Sequence, residues 1–566
     1  MAGLATTLGS GAMTNTIRDA CTGDVILVAG SNTTEAHPVI GLQMKAAVRQ
    51  RGTKLILVDP RQIELAKFAS LHLRHYPGTD TAVFNAMARV ILDEGLENRA
   101  FIEERTENVE ALRQSLASFT PEWAEEVSGV PAEDIRAAAR MYARAKAAAI
   151  FWAMGITQST HGTDNVFSLS NLALLAGHLG RPGTGLNPLR GQNNVQGACD
   201  MGGLPNVYTG YQPVADMAVR DKFSAAWGTE HLPSAAGLTV TEIIDGALQG
   251  KIHALFIMGE NPLLSDPNLH HVRLALEKLD LLVVQDLFLN ETGERAHVVL
   301  PGASFAEKSG TFTNTERRVQ LLRPAIAPLG GARPDWMILC QVGERLARGL
   351  DIVSMPATTP SVRTVTDWGY AGPENVWAEV AALTPSMAGI SHARLEQGGL
   401  QWPCPSADHP GTSILHTTKI VRGKGRFMPI TYRPPAEQVD DEYPLILSTG
   451  RILFHWHGGT MSRRSAGLER LAPSAEVEVN PLDAHRFGLV DQALVEVASR
   501  RGRIRAQARV TERSPRGTVF ATFHYAEAAA NLLTLDAVDP VAKIPEYKVS
   551  AVRIRPVHAK QTRPRK

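Results

Sequence analysis

The apolar positions of this chain fall into short unbroken runs that stop on polar turns. "DVILVAG" (24–30) is continuous and rich in β-branched residues, the pattern of a strand buried on both faces of a parallel sheet. It ends at Gly30-Ser31-Asn32, and Pro38 opens a helix-compatible stretch to Gln50. "KLILVDPR" (54–61) then predicts a second strand that closes on Asp59. A strand, polar turn, helix and strand ending in an acid is the frame of a nucleotide crevice, but no GxGxxG fingerprint follows the first strand, which disfavours an ordinary NAD site. "YPGTD" (76–80) reads as a loop, 81–150 as mostly helical, and Pro131 starts the Ala-rich helix "PAEDIRAAARMYARAKAAA". "AAIFWAMGITQSTHG" (148–162) is a buried strand running into a polar loop; Thr163 is expected to cap a helix reaching His178, which Gly180 and Pro182 would end.

The first pattern then recurs. "HALFIMGENPLLSDP" (253–267) is a strand ending in Gly259-Glu260-Asn261-Pro262, and after a helical stretch "LLVVQDLF" (281–288) is a strand closing on Asp286. Gly30 to Asp59 spans 29 positions and Gly259 to Asp286 spans 27, so the chain carries two similar units. "AHVVLPGAS" (296–304) continues the second sheet, and 305–435, rich in Gly and Pro, reads as an irregular connecting region. From about 440 the pattern turns β-rich, and "QALVEVASRRGRIRAQARV" (492–510) alternates like a hairpin with Arg501-Gly502 near its turn. The expectation is an α/β protein of two pseudo-symmetric dinucleotide-binding domains, 1–192 and 193–304, a connecting region 305–435, and a C-terminal barrel domain 436–566.

Length agrees, since 566 residues exceed one hydrophobic core. A net charge of +1 gives no bulk electrostatic argument for nucleic acid or an anionic membrane, and no apolar run approaches the roughly 20 residues of a membrane helix. The four cysteines (Cys21, Cys199, Cys340, Cys404) are far apart and form no CxxC pair, which argues against a disulfide framework and fits a cytoplasmic protein.

Candidate chemistry concentrates in "RGQNNVQGACDMGG" (190–203), a run of amides and glycines around one cation, with almost nothing to bury. Glycines let backbone approach a ligand, amides donate and accept, and a guanidinium fixed among them suits bidentate capture of a small carboxylate by Arg190. "GRILFHWHGGTMSRR" (450–464) gathers Arg451, His455, His457 and Arg463-Arg464 around a Gly-Gly pair, better suited to phosphate than to a metal. "NTERRVQ" (314–320), with its paired arginines, is read equally well as a solvated turn or as a structural or cofactor element. P-loop, GxSxG and HExxH motifs are absent from the sequence.

Taken with "GLATTLGSGAMTN" (3–15), "VDPRQIE" (58–64), "MGITQSTHG" (154–162), "MGENPLLSD" (258–266), "VVQDLF" (283–288) and "IPEYKVSAVRI" (544–554), the loop at 187–212 resembles the formate dehydrogenases of the dimethyl-sulfoxide-reductase group of molybdopterin enzymes. The segments follow the family's order along the whole chain. The resemblance implies two molybdopterin guanine dinucleotides chelating one molybdenum or tungsten ion, which would account for the doubled crevice. One nucleotide would be held near Gly30, Asn32, His37, Asp59, Arg61, Gly78 and Asp80, with Met154, Gly155 and Gln158 approaching the pterin. The second would lie near Gly259, Glu260, Asn261, Gln285, Asp286 and Asp335, with Asn261 departing from the Asp of some relatives. Arg451, His455, His457, Asn531, Tyr547 and Lys548 would close over the pair, while Arg190, with Gln192 beside it, would face formate.

The resemblance further implies electron-accepting partner subunits carrying iron–sulfur clusters or flavin. In the family the metal-ligating Cys or Sec, its neighbouring His and a 4Fe–4S cluster lie ahead of the position matching Met1, so the 566 residues alone are expected not to oxidise formate. A selenocysteine codon read as a stop, ahead of a GUG start, is one expected origin of that boundary. The rival readings are a non-catalytic scaffold like the large iron–sulfur subunit of respiratory complex I, or another oxidoreductase of the group such as a nitrate reductase.

Overall fold

The structure, a computed structural model, describes residues 1–355 and 361–557. The first sheet is built from β1 (Val25–Ala29), β2 (Lys54–Val58), β3 (Leu71–Leu73), β4 (Ala148–Trp152) and β5 (Gly185–Pro188). Its order is β3-β2-β1-β4-β5, every pair parallel. All five residues of β1 and of β4 are buried, as unbroken apolar runs require when helices cover both faces. The helix over Pro38–Arg51 lies in the crossover from β1 to β2, has Pro38 in its first turn, and ends at Gly52, whose φ of +70° an L side chain would resist.

Two expectations need correction here. The helix expected from Thr163 to His178 spans Gly162–Ala176: Thr163 lies inside its first turn and not at the cap, its amide (2.9 Å) and hydroxyl (2.8 Å) both donating to the Asp539 carboxylate. Gly177, in the left-handed region at φ +69°, ends it before Gly180 is reached.

The second parallel sheet contains β6 (Ala254–Met258), β7 (Leu281–Asp286) and β8 (Val298–Pro301) in the order β8-β7-β6. It repeats the strand–helix–strand pattern of the first, but among the described residues it is less completely packed. Ile257, Leu282 and Val284 are buried, whereas Phe256, Met258, Leu281, Val298 and Val299 are exposed.

The region expected to be irregular is more ordered than its Gly and Pro content implied. It holds an antiparallel sheet of β9 (Gly310–Thr313), β10 (Arg318–Leu322) and β11 (Leu400–Gln401), and the helices Asp335–Gly349 and Pro373–Leu383. Each helix starts directly at or after a proline, which supplied the fixed φ that the glycines around it obscured.

The C-terminal strands β12 (Leu445–Gly450), β13 (Glu476–Val479), β14 (Leu494–Ala498), β15 (Arg503–Val510), β16 (Thr518–Thr522) and β17 (Ser550–Pro556) close a six-stranded barrel. β14 and β15 form the antiparallel hairpin that their alternation predicted, with Ser499 N–H donating to Gly502 O across the turn. Among the described residues the chain divides into two compact units: Met1–Leu189, Asn261–Arg273 and 414–557 form one, Arg190–Glu260, 274–355 and 361–413 the other. The first unit contains the five-stranded sheet and the barrel, the second the three-stranded sheets. Among the described residues, no helix is long and apolar enough to cross a membrane.

Candidate cofactor and substrate site

In the first unit the strand ends of the sheet converge on a backbone crossing. Gly155 N–H donates to Gly30 O at 3.0 Å. A Cβ on Gly30, at φ +51°, would stand 2.7 Å from Ile156 N, and one on Gly155 would stand 2.5 Å from Gly30 O. Only glycine fits at either position, so the polar turn after β1 and the Met154–Thr157 turn lie edge to edge. Met154, Gly155 and Gln158 therefore sit beside Gly30, and Asn32 and His37 flank the short helix Thr33–Ala36 that follows it.

Asp59 follows β2 and is buried, its Oδ1 accepting from Arg61 N–H at 2.9 Å, and burial pushes its carboxyl above the usual range. Gly78, at φ +85°, makes the turn before Asp80, whose carboxylate meets His75 Nε2 at 3.0 Å. Arg61 is committed to the barrel. Its guanidinium forks onto Glu478 (2.9–3.2 Å) and stacks 3.4 Å from the Phe520 ring centroid.

The barrel domain adds the remaining candidates of this unit. Arg451 Nη2 donates to His457 Nε2 at 2.9 Å, and burial brings its guanidinium down to about 10. Lys548 donates to Thr449 O at 2.7 Å; burial first, then the Arg451 charge, pulls its ammonium down to about 8. Tyr547 N–H donates to Gln158 O at 3.2 Å and its hydroxyl to Ser265 O at 3.0 Å. Asn531 Nδ2 donates to Leu264 O and Ser265 O, just after Asn261. His455 is placed apart from His457: its ring bonds Ala472 O at 2.7 Å and packs edge-on against Tyr525. The two histidines do not form a metal pair, and the described residues contain no cluster of three His, Cys, Asp or Glu side chains able to hold an ion.

In the second unit Gly259, Gln285, Asp286 and Asp335 gather at the C-terminal ends of β6 and β7, where open α/β sheets bind ligands. Gly259 N–H donates to Gln285 O at 2.8 Å and Gln285 Nε2 to Asp335 Oδ1 at 2.7 Å; Lys308 pairs with the other Asp335 oxygen. Glu260 is exposed beside them.

Arg190 opens the glycine-rich loop. Its backbone N–H donates to Thr315 Oγ1 at 3.1 Å and its Nε to Gln196 Oε1 at 3.0 Å. Gln192 is half-buried two residues on, ahead of the short helix Val195–Asp200. Asn194 takes φ +60° so that its Oδ1 accepts from Thr313 N–H at 2.9 Å, and a Cβ on Gly197 would lie 2.1 Å from that oxygen. Behind the loop, Asp200 is fully buried. Its Oδ1 accepts from Gln196 Nε2 (2.7 Å) and Tyr211 Oη (2.8 Å), and its Oδ2 from Trp402 Nε1 (2.7 Å). Burial pushes this carboxyl up to about 6 against those three donors. Arg317 of the "NTERRVQ" stretch is structural: completely buried, it donates to the carbonyls of Trp402, Thr412 and Ser413.

Sequence reasoning missed Glu478, Phe520 and Lys308 because each meets its candidate only through the fold. Asp200 and Gln196 stood inside the quoted loop, and their amide–carboxylate pairing at i, i+4 on a helix was the available signal.

A chain with a doubled α/β sheet, a closed C-terminal barrel and phosphate-suited loops at the strand ends has the architecture of a pterin-dinucleotide oxidoreductase. Residues 4–345 match the molybdopterin oxidoreductase family and 445–551 the molydopterin dinucleotide binding domain, and the chain belongs to the molybdopterin oxidoreductase family. It is 46% identical to the F420-dependent formate dehydrogenase 1 subunit alpha of Methanococcus maripaludis, over 98% of this chain and 80% of that one. It is 47% identical to the F420-dependent formate dehydrogenase subunit alpha of Methanocaldococcus jannaschii (98% and 79%), and 39% to formate dehydrogenase H of Escherichia coli (98% and 76%). Acetylene hydratase from Pelobacter acetylenicus shares the fold, with a TM-score of 0.74 at 19% identity over 98% of this chain and 80% of that one.

The residues present fit such a cofactor. Among the described residues, the buried atoms Asn32 Nδ2, Asn531 Oδ1 and Gln285 Oε1 make no hydrogen bond within the chain. An unmet buried polar atom costs about 1–3 kcal/mol, so candidate positions in both units carry groups suited to a bound polar ligand.

Proposed function

We propose that this chain belongs to the catalytic alpha subunit of a formate dehydrogenase, an enzyme whose reaction converts formate to carbon dioxide, a proton and two electrons. The observation that carries the reading is Arg190, fixed through Nε and backbone in a loop of amides and glycines, in a chain 39–47% identical to formate dehydrogenase subunits.

One molybdopterin guanine dinucleotide would be held by Gly30, Asn32, His37, Asp59, Arg61, Gly78, Asp80, Met154, Gly155 and Gln158. The second would be held by Gly259, Glu260, Asn261, Gln285, Asp286 and Asp335. Arg451, His455, His457, Asn531, Tyr547 and Lys548 complete the cofactor contacts, following the four-domain division at 192, 304 and 435. When bound, a molybdenum or tungsten centre would supply two-electron redox chemistry to this site.

The chain's own residues do the rest. Arg190 binds the carboxylate through a planar fork, a charge-assisted contact of roughly 1.5–3 kcal/mol that also fixes where the C–H bond points. Gln192 offers a neutral amide beside it. Half-buried Arg451 and Lys548 hold positive charge for the phosphates and pterin. Electrons would pass to iron–sulfur or flavin subunits in a cytoplasmic complex.

The test is Arg190→Lys in the cofactor-loaded holoenzyme, measured by formate-dependent dye reduction. Lysine keeps the charge and loses the fork, so kcat/KM is expected to fall at least about tenfold with metal and pterin content unchanged. Undiminished kcat/KM would remove Arg190 from the site and the formate reading with it.

A further inference from the structure

Arg190 is held by its neighbour Gln196, and Gln196 is itself held. Its Oε1 accepts from Arg190 Nε at 3.0 Å while its Nε2 donates to Asp200 Oδ1 at 2.7 Å and to Tyr211 Oη at 2.8 Å. An amide can face a guanidinium with its oxygen or its nitrogen, and only the oxygen accepts. Asp200 settles which, because a carboxylate accepts and never donates. Its other oxygen is pinned by Trp402 Nε1 at 2.7 Å, and Tyr211 adopts φ +65°, a costly backbone for a bulky residue, in the segment that brings its hydroxyl to within 2.8 Å of Oδ1.

From this arrangement we infer that Asp200 is a positioning residue for the cation that binds the substrate: the buried carboxylate orients the Gln196 amide, which fixes the plane of the Arg190 guanidinium and hence the bound formate. The inference rests on the formate reading above and adds to it a residue that touches neither substrate nor cofactor. A polar network so placed is worth its energy only if every member is satisfied, and Asp200, with three donors on its two oxygens, meets that condition.

Asp200→Asn is the perturbation. Asparagine has the same shape but presents an NH2 on one side, so one of the three donors must meet another donor. If Gln196 turns to relieve this, its own NH2 faces Arg190 Nε and the anchor is lost. Expected in the holoenzyme is a roughly 10- to 100-fold loss of formate kcat/KM, the scale of one hydrogen bond to a charged group. The loss should fall largely on KM, and the inhibition constant of acetate, a carboxylate with no hydrogen to transfer, should rise in parallel. Metal and pterin content should stay at the wild-type level.

A double-mutant cycle with Arg190→Lys separates positioning from bulk stability. If Asp200 acts through the guanidinium, Asp200→Asn adds little to an enzyme already carrying Arg190→Lys. Full additivity of the two losses, or an unchanged KM in Asp200→Asn, would overturn the inference. An unaffected Arg190→Lys enzyme would instead sink the formate reading, so the two failures are distinct. Should Asp200→Asn not accumulate as folded holoenzyme, Gln196→Leu cuts the same link while leaving Asp200 with Tyr211 and Trp402. The same loss and the same non-additivity are expected there, and additivity again refutes.

Discussion

Acidification should destabilise this protein through two histidines locked in the neutral state. His178 Nε2 donates to Tyr142 O at 3.0 Å while Nδ1 accepts from Arg181 Nη2 at 3.0 Å. His524 donates through Nδ1 to His457 O, and its Nε2 accepts from Ile452 N–H at 3.2 Å. In each ring one nitrogen must stay bare to accept, and a second proton would confront a donor. Both rings are buried, and burial, the largest cause, brings each down from 6.5 to about 4. The folded pKa lies below the unfolded one, so as pH falls below 6.5 the unfolded chain takes up protons that the folded chain refuses. The stabilisation is complete above about 6.5, is lost progressively down to about 4, and is flat below. Moving each ring from 6.5 to about 4 corresponds to ~3 kcal/mol per ring, and the slope within the window to about 1.4 kcal/mol per pH unit per ring. Asp200 runs the other way, since its raised carboxyl adds stability as pH falls through 6. The histidine contribution is therefore read by difference. Urea unfolding of wild type and His178→Leu, followed by tryptophan fluorescence from pH 7.5 to 4.5, should give a slope shallower by about one proton in the variant. The variant will be less stable at pH 7.5, having lost two hydrogen bonds, and the two curves should converge on acidification. Parallel curves would refute the assignment of His178 as a neutral buried acceptor.

Gly30→Ala places a methyl 2.7 Å from Ile156 N at φ +51°; a loss of at least about 1–3 kcal/mol and of pterin content is expected by thermal melting and metal analysis. Glu478→Gln strips a carboxylate from both Arg61 and Arg513 and should cost about 3–5 kcal/mol in denaturant unfolding. Arg61→Met should cost less, because Arg513 at 3.4 Å and Ser514 at 3.2 Å remain with Glu478, and equal losses would refute that ordering. Removing the pterin cofactor should speed hydrogen exchange at 30–37 and 154–158, where Asn32 Nδ2 would lose its ligand; unchanged exchange there would place the cofactor elsewhere.

How much was legible in the sequence depended on how far each interaction reaches. β1, β2 and β4 were readable because an unbroken β-branched run has few other solutions, and the β14–β15 hairpin because alternation fixes both face and partner. The Thr163 boundary was misread for the opposite reason. A threonine before a helical run is a capping signal, but the oxygen that claims its hydroxyl lies 376 positions away. The order hidden in 305–435 was missed because Gly and Pro punctuate structure without saying what lies between them, and the helix after Pro334 is an ordinary amphipathic one.

The candidate site divides along the same line. Arg190 was visible because a lone cation among glycines and amides has no structural purpose that a sequence can suggest. The network proposed to aim that cation was legible only in part: Gln196 and Asp200 stood in the quoted loop, but the partners that fix Asp200 did not. Tyr211 and Trp402 stand 11 and 202 positions from Asp200, and nothing in either stretch marks it as a hydrogen-bond donor to a buried acid. A sequence can advertise the group that meets a substrate, since that group must be chemically unusual for its surroundings. The residues that aim it need only be satisfied, and satisfaction is a property of the folded chain. Arg61 makes the same point in reverse: its sequence position suggested a nucleotide contact, while its bidentate grip on Glu478 and its stacking on Phe520 tie the turn after β2 to the barrel. Any hold Arg61 has on a nucleotide must act from that fixed place, with the barrel setting where the guanidinium stands.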